Sequence, residues 1–286
     1  MSSKSNKLPS NYPMISSKTS NNNWGEANYG NWNGINYHWR VLGKANKSPV
    51  LLLHGFGASS DHWRHNAYFL EKAGFKVYGL DLIGFGKSEQ PSQKKIKKLD
   101  NKFWAEQVAN FMQEIIRAKS SEKIVLIGNS LGGLVALTTS VFYPNLVSAV
   151  IAAPLPDPAL MKSSELKIPK WLENTKTMLV KVFFTILPLE LFVPLIAKTK
   201  IIEIGLQFAY SSSIKLDLQL KSMIKKPAQR VTAARALRAM CIGMGTRKDI
   251  FTAPFLLESL AKIKSRPPFL LVWGEKDRLV PLSIGK

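Results

Sequence analysis

Between Ile124 and Val141 the chain reads as a strand, a tight turn and a helix with a serine at the bend. The apolar run Ile124 to Ile127 leads into Gly128-Asn129-Ser130-Leu131-Gly132-Gly133, which opens the helical pattern Leu134 to Val141. Small residues two before and two after the serine permit a strained turn that lifts the Ser130 hydroxyl above the end of a sheet. The helix that starts there also points its positive end at that hydroxyl. G-x-S-x-G strings occur by chance in many proteins. Here the flanking strand and helix agree with the string, so Ser130 is read as a nucleophile and the turn as a nucleophile elbow.

The text around this elbow alternates short apolar runs with amphipathic segments, as expected of an α/β chain with a mostly parallel, doubly wound sheet. Ile35 to Leu42 reads as an early edge strand, Val50 to His54 as a buried one and Lys76 to Leu82 as the next, with Asp61 to Ala73 as the helix between them. Lys123 to Asn129, Val147 to Ala153 and Phe269 to Trp273 complete the buried set. Pro154 to Arg266 holds helical patterns and no comparable strand; too long for a crossover, it reads as an inserted helical cap. The start of the chain is rich in Ser, Asn, Lys and Gly and reads as flexible. The expected plan is therefore an extension at 1–34, a first part of the core at 35–153, the cap at 154–266 and a second part of the core at 267–286.

Composition narrows the function classes. With 286 residues, 45% of them hydrophobic, the chain can bury a sizeable core, and its single Cys241 excludes an internal disulfide framework. Neither a secretory signal nor an ordinary transit pattern opens the sequence, which predicts a cytoplasmic location. The longest apolar stretch, Met178 to Ala197, is interrupted by Lys181, Pro188, Glu190 and Pro194 and reads as a pair of lid helices rather than a membrane span. A net charge of +21 predicts attraction to anionic surfaces. Runs such as Lys94-Lys95-Ile96-Lys97-Lys98 belong to no nucleic-acid module, so specific nucleic-acid binding is not expected. Lysines beside the apolar stretch Val182 to Leu195 instead suggest peripheral contact with a membrane.

Three further motifs bear on chemistry. His54-Gly55-Phe56-Gly57 ends a buried strand, where the backbone N–H of Phe56 could face an oxyanion beside the N–H of Leu131. His54 itself reads as a structural imidazole bonded to the neighbouring loop rather than as a base. In Asp81-Leu82-Ile83-Gly84-Phe85-Gly86-Lys87-Ser88 the glycines make a tight loop, and Asp81 and Ser88 read as holding its shape. Leu271-Val272-Trp273-Gly274-Glu275-Lys276-Asp277 runs from a strand into a turn with an acid three residues on, the kind that orients a catalytic histidine. Asp277 is the first choice for that acid and Asp157, after the preceding strand, is the alternative.

In this order the motifs resemble the α/β-hydrolase superfamily from about residue 35 onward. Gly55-Phe56-Gly57 to His62-Trp63-Arg64, the segment Tyr78 to Ser88, Phe208-Ala209-Tyr210 and Ile224-Lys225-Lys226-Pro227-Ala228 are similar to cyanobacterial and plastid members related to pheophytinase and chlorophyll dephytylase. The resemblance implies hydrolysis of a small apolar or lipid-like ester, without metal or cofactor. An aspartate usually stands at the elbow of epoxide hydrolases and haloalkane dehalogenases, so Ser130 argues against both; a cofactor-free serine haloperoxidase-type activity or a C–C bond hydrolase shares the triad and stays open beside the esterase.

One element of the pattern is not met. All four histidines, His38, His54, His62 and His65, precede Ser130, and the sequence runs only nine residues past Asp277. The resemblance implies a histidine roughly twenty-five or more residues beyond the acid, after a further helix and strand. The expectation is thus a C-terminally truncated serine hydrolase lacking its last strand and helix, poorly active as residues 1–286. A pseudoenzyme, or an enzyme borrowing His62 or His65, competes with it. The alternative function is a non-catalytic binding protein that keeps the hydrolase pocket.

Overall fold

The computed structural model describes residues 24–44, 47–91, 95–96, 98–117, 122–161, 170–210 and 213–285. Its strands are β1 (Glu26–Trp32), β2 (Ile35–Leu42), β3 (Pro49–Leu53), β4 (Lys76–Leu80), β5 (Ile124–Asn129), β6 (Val147–Ala153) and β7 (Phe269–Leu271). They form one sheet in the order β1-β2-β4-β3-β5-β6-β7. β1 and β2 pair antiparallel, as do β2 and β4, and every other neighbouring pair is parallel.

Alternation along the central strands places helices on both faces. Leu51 and Leu53 of β3 share a core with Trp104 and Val108 of α2 (Asn101–Phe111) and Val135 of α3 (Leu131–Phe142). Val50 and Leu52 point the other way, toward Trp24 and Ala67 of α1 (Asn66–Lys72). All four β3 side chains are fully buried, each contributing roughly 2 kcal/mol of hydrophobic stabilisation.

Among the described residues five α-helices follow β6, namely α4 (Lys170–Ile186), α5 (Leu189–Lys198), α6 (Ile201–Ala209), α7 (Leu218–Ala228) and α8 (Ala233–Gly245), and α9 (Ala253–Lys262) comes before β7. Polar contacts pin α7 and α8 to the core. Arg64 Nη2 donates to Asp217 Oδ2 at 2.6 Å, Arg230 Nη2 to the Gly86 carbonyl at 2.6 Å, and Thr232 Oγ1 to Gln90 Oε1 at 2.6 Å.

The structure departs from the sequence expectations at five places. Glu26–Trp32, assigned to the extension, is β1, because Asn33 and Gly34 with φ 51 and 76 close a two-residue hairpin turn and align it along the whole of β2. β2 is therefore an inner strand rather than an edge. Residues 1–23 of the expected extension lie outside the described residues, as do Lys94 and Lys97 of the lysine run. The expected helix Asp61 to Ala73 is a 3-10 turn, Ser60–Trp63, followed by α1. α9, placed in the cap by position, packs Ala253, Leu256 and Leu260 against Leu134, Leu137 and Ala152, so it covers the sheet. β7 occupies the sheet edge with its side chains half-buried or exposed, not in the buried set; one neighbouring strand cannot shield both its sides.

Candidate active site

Ser130 stands between β5 and α3 with φ 52 and ψ −118, a conformation that a side chain adopts only when its surroundings impose it. The surroundings are tight backbone. A Cβ at Gly132 would lie 2.7 Å from the His54 carbonyl oxygen and closer still to that of Leu53, and one at Gly128 would overlap the Gly132 carbonyl. Only glycine lets β5, α3 and the end of β3 approach this closely. The Ser130 N–H and Asn129 Nδ2 both donate to the Ala153 carbonyl, at 2.8 and 2.9 Å, tying the turn to the end of β6.

A cavity of about 970 Å³ opens over this turn. Its floor includes Ser130, Asn129, Gly55 and Phe56 from the core loops, and its roof includes Val193, Ile196, Leu206 and Ala209 from α5 and α6. The lining is predominantly apolar, with His62, Gln90, Asn129, Ser130, Tyr210 and Asp277 as its polar side chains. Leu131 is the first residue of α3, so its N–H belongs to the helix-opening donors that no carbonyl of the same helix can accept. Phe56 lines the cavity beside Ser130, and its exposed ring meets Phe85 edge-on with centroids 5.8 Å apart.

The two candidate acids stand in different surroundings. Asp277 lines the cavity, and its Oδ1 accepts the N–H groups of Leu279 and Val280 at 2.9 Å each. Asp157 is buried and fully engaged, accepting from Arg247 Nη2 at 2.5 Å, the Ala253 N–H at 2.6 Å and the Ala159 N–H at 2.9 Å. It staples the chain after β6 to the start of α9.

The histidines resolve into distinct roles. His54 is fully buried, with Nε2 accepting the Leu82 N–H at 3.0 Å and Nδ1 donating to the Gly55 carbonyl at 2.8 Å. Burial pushes its pKa down, against the pull of Asp81 and the Gly55 carbonyl. With both nitrogens used it is the structural imidazole expected from the His-Gly turn. His38 Nδ1 lies 2.9 Å from Asp81 Oδ2, inside the protein. Asp81 also accepts the N–H groups of Ser60 and Lys87, at 2.6 and 2.7 Å. Burial alone would raise its pKa, but His38, His54 and the Lys87 N–H outweigh it and hold the carboxyl at about 2. Asp81 and Ser88, whose Oγ donates to the Asp81 carbonyl at 2.6 Å, hold the loop as expected.

His62 is the described histidine that lines the cavity, and its Nε2 lies 2.8 Å from the Tyr210 hydroxyl at the end of α6. Burial, then the Arg64 charge, drive its pKa down to about 4, so it is neutral near pH 7. Sequence reasoning named His62 only as a base that could be borrowed. The missing element was Tyr210, a cap residue 148 positions away that only the fold brings to it. Among the described residues no cluster of three His, Cys, Asp or Glu side chains could hold a metal ion.

A strand, a serine at positive φ, a helix and a capped cavity above them form a recognisable combination, and the alpha/beta hydrolase fold family matches residues 48–185. The chain has the α/β-hydrolase fold. Over 136 residues, 48% of the chain, it is 31% identical to epoxide hydrolase 4 of Mus musculus. Over 135 residues, 45% of the chain, it is 35% identical to the 1-acylglycerol-3-phosphate O-acyltransferase ABHD5 of Sus scrofa. These matches cover 36% of each relative, so the chain spans about a third of the curated proteins it resembles. Among solved structures, the thioesterase domain from the curacin biosynthetic pathway superposes with a TM-score of 0.64 at 17% identity, covering 91% of this chain and 87% of that one. At that identity the likeness concerns the α/β-hydrolase fold alone.

Proposed function

We propose that the protein is a serine esterase of the α/β-hydrolase fold acting on an apolar or lipid-like carboxylic ester. The observation that carries this reading is Ser130 at φ 52 on the floor of a predominantly apolar cavity of about 970 Å³. Ser130 Oγ attacks the ester carbonyl, and the developing oxyanion is met by the N–H groups of Phe56 and Leu131. The acyl-enzyme forms as the ester C–O bond breaks and the alkoxide leaves as the alcohol with the Ser130 hydroxyl proton; water then attacks the acyl carbonyl, releasing the acid and returning a proton to Ser130 Oγ. Asp277, which lines the cavity, is the carboxylate assigned in this reading to orienting a base. The serine at the elbow separates this chemistry from that named for the epoxide hydrolase relatives. The loop likeness to dephytylases makes a phytyl ester a natural substrate to try.

Residues 1–286 contain no histidine after Ser130, His54 is locked by two backbone bonds, and His62 is held by Tyr210 with a pKa near 4. Turnover by this polypeptide is therefore expected to be several orders of magnitude below that of a complete triad, supported by the oxyanion donors and binding alone. The predominantly apolar cavity also suits a second reading, a ligand-binding protein on the hydrolase scaffold. Hydrolysis of p-nitrophenyl esters separates the two. Slow release that prefers dodecanoate over acetate and disappears in Ser130→Ala supports the esterase. Release unchanged by Ser130→Ala contradicts it, and tight binding of a long-chain ester with no release assigns the binding role.

A further inference from the structure

Helices α5 and α6, which roof the cavity, together with α4 carry a second apolar face, directed outward. Met178 and Ile186 of α4 are 67% and 74% exposed, Leu191 and Leu195 of α5 are 65% and 61%, and Ile204 of α6 is 67%. Phe183 and Phe208 add exposed rings. Soluble monomeric proteins rarely expose large contiguous apolar patches.

The described acids of α5 and α6 are neutralised from behind: Glu190 pairs with Arg238, and Glu203 with Lys225 at 2.6 Å and Lys221 at 3.2 Å. Lys181, Lys198 and Lys200 are exposed among the apolar side chains. Among the described residues no single helix is long and apolar enough to cross a membrane, and the α4 and α5 segments Thr177–Ile186 and Leu189–Lys198 meet at 66°. Short helices at such an angle, apolar outward and ringed by lysine, suit the boundary between headgroups and acyl chains.

We propose that the outer face of α4, α5 and α6 docks the protein on an anionic lipid bilayer. The lysines meet the acidic headgroups while Ile186, Leu191 and Leu195 enter the acyl boundary. The opposite side of α5 and α6, including Val193, Ile202 and Leu206, lines the cavity, so the docked helices form the partition between lipid and Ser130. Docking goes beyond the esterase reading, since it does not require Ser130 to react.

Flotation of the full chain with vesicles tests this. The protein should float with phosphatidylcholine vesicles containing phosphatidylglycerol and much less with phosphatidylcholine alone, and salt should weaken the association. The exposed triple variant I186N/L191N/L195N should lower partitioning roughly tenfold or more while leaving the circular dichroism spectrum unchanged. K181Q/K198Q/K200Q should lower it by on the order of tenfold to a hundredfold on the anionic vesicles only. Ser130→Ala should float like the parent, so loss of hydrolysis and loss of docking are read apart. Failure to float with anionic vesicles, or equal flotation by the triple variant, overturns the proposal. So does sedimentation equilibrium without lipid showing a dimer that the triple variant dissolves, which would give the face to a second copy of the chain.

Discussion

Ser130 holds its φ of 52 because glycine stands wherever a Cβ would block the approach of the neighbouring backbone. Gly132→Ala forces its new methyl into the Leu53 and His54 carbonyls. It should lower stability by about 3 kcal/mol, read from the urea midpoint, and move the elbow enough to abolish Ser130 reactivity; an unchanged midpoint would contradict the packing described. His62 makes the stability depend on pH. Its folded pKa of about 4 lies below the ordinary 6.5, so the unfolded chain takes up a proton that the folded chain refuses. The contribution is complete above about pH 6.5 and is lost as pH falls toward 4, and buried His54 acts in the same direction. Asp81 adds a second loss between 3.8 and about 2. Urea midpoints should therefore fall between pH 7 and about 4.5. His62→Asn should flatten part of that slope, and an unaltered slope would remove His62 from the account.

At the scale of elements, α9 and the α4–α5 corner are held differently and should fail differently. Leu256 of α9 is fully buried between α3 and the sheet, so Leu256→Ala should lower global stability by about 3 kcal/mol in a urea titration. Arg238 of α8 donates from Nε to the Phe184 carbonyl at 2.7 Å and from Nη2 to that of Leu187 at 2.7 Å, and it pairs with Glu190. Arg238→Ala should leave the urea midpoint nearly in place while amide exchange rises over residues 178–198, because it releases the corner and not the core. Equal global destabilisation by both variants would contradict this division. Sequence pattern located the central strands because each is a continuous apolar run. It missed β1, whose residues EANYGNW carry no apolar alternation and whose strand follows from the Asn33-Gly34 turn and pairing with β2. It put α9 in the cap because amphipathic period alone does not tell which apolar surface a helix faces.

For the whole molecule, the sheet fixes Ser130 at the end of β5, and residues of α5 and α6 line a predominantly apolar space above it. The sequence showed the elbow and the Gly55-Phe56-Gly57 loop because their chemistry is local. It left Asp277 and Asp157 as alternatives because only the fold engages Asp157 with Arg247 and α9 while leaving Asp277 on the cavity. The His62–Tyr210 contact was illegible for the same reason. Of the lysines behind the positive net charge, Lys181, Lys198 and Lys200 stand exposed on or beside α4 and α5. The central claim is that Ser130 is the reactive group of this cavity. Its most direct test is the intact mass of the full chain after long incubation with a saturating long-chain alkyl fluorophosphonate, followed by peptide mapping. The account predicts one slowly formed adduct on the peptide carrying Ser130 and none in Ser130→Ala. An unmodified protein, or an adduct that persists in Ser130→Ala, would contradict it.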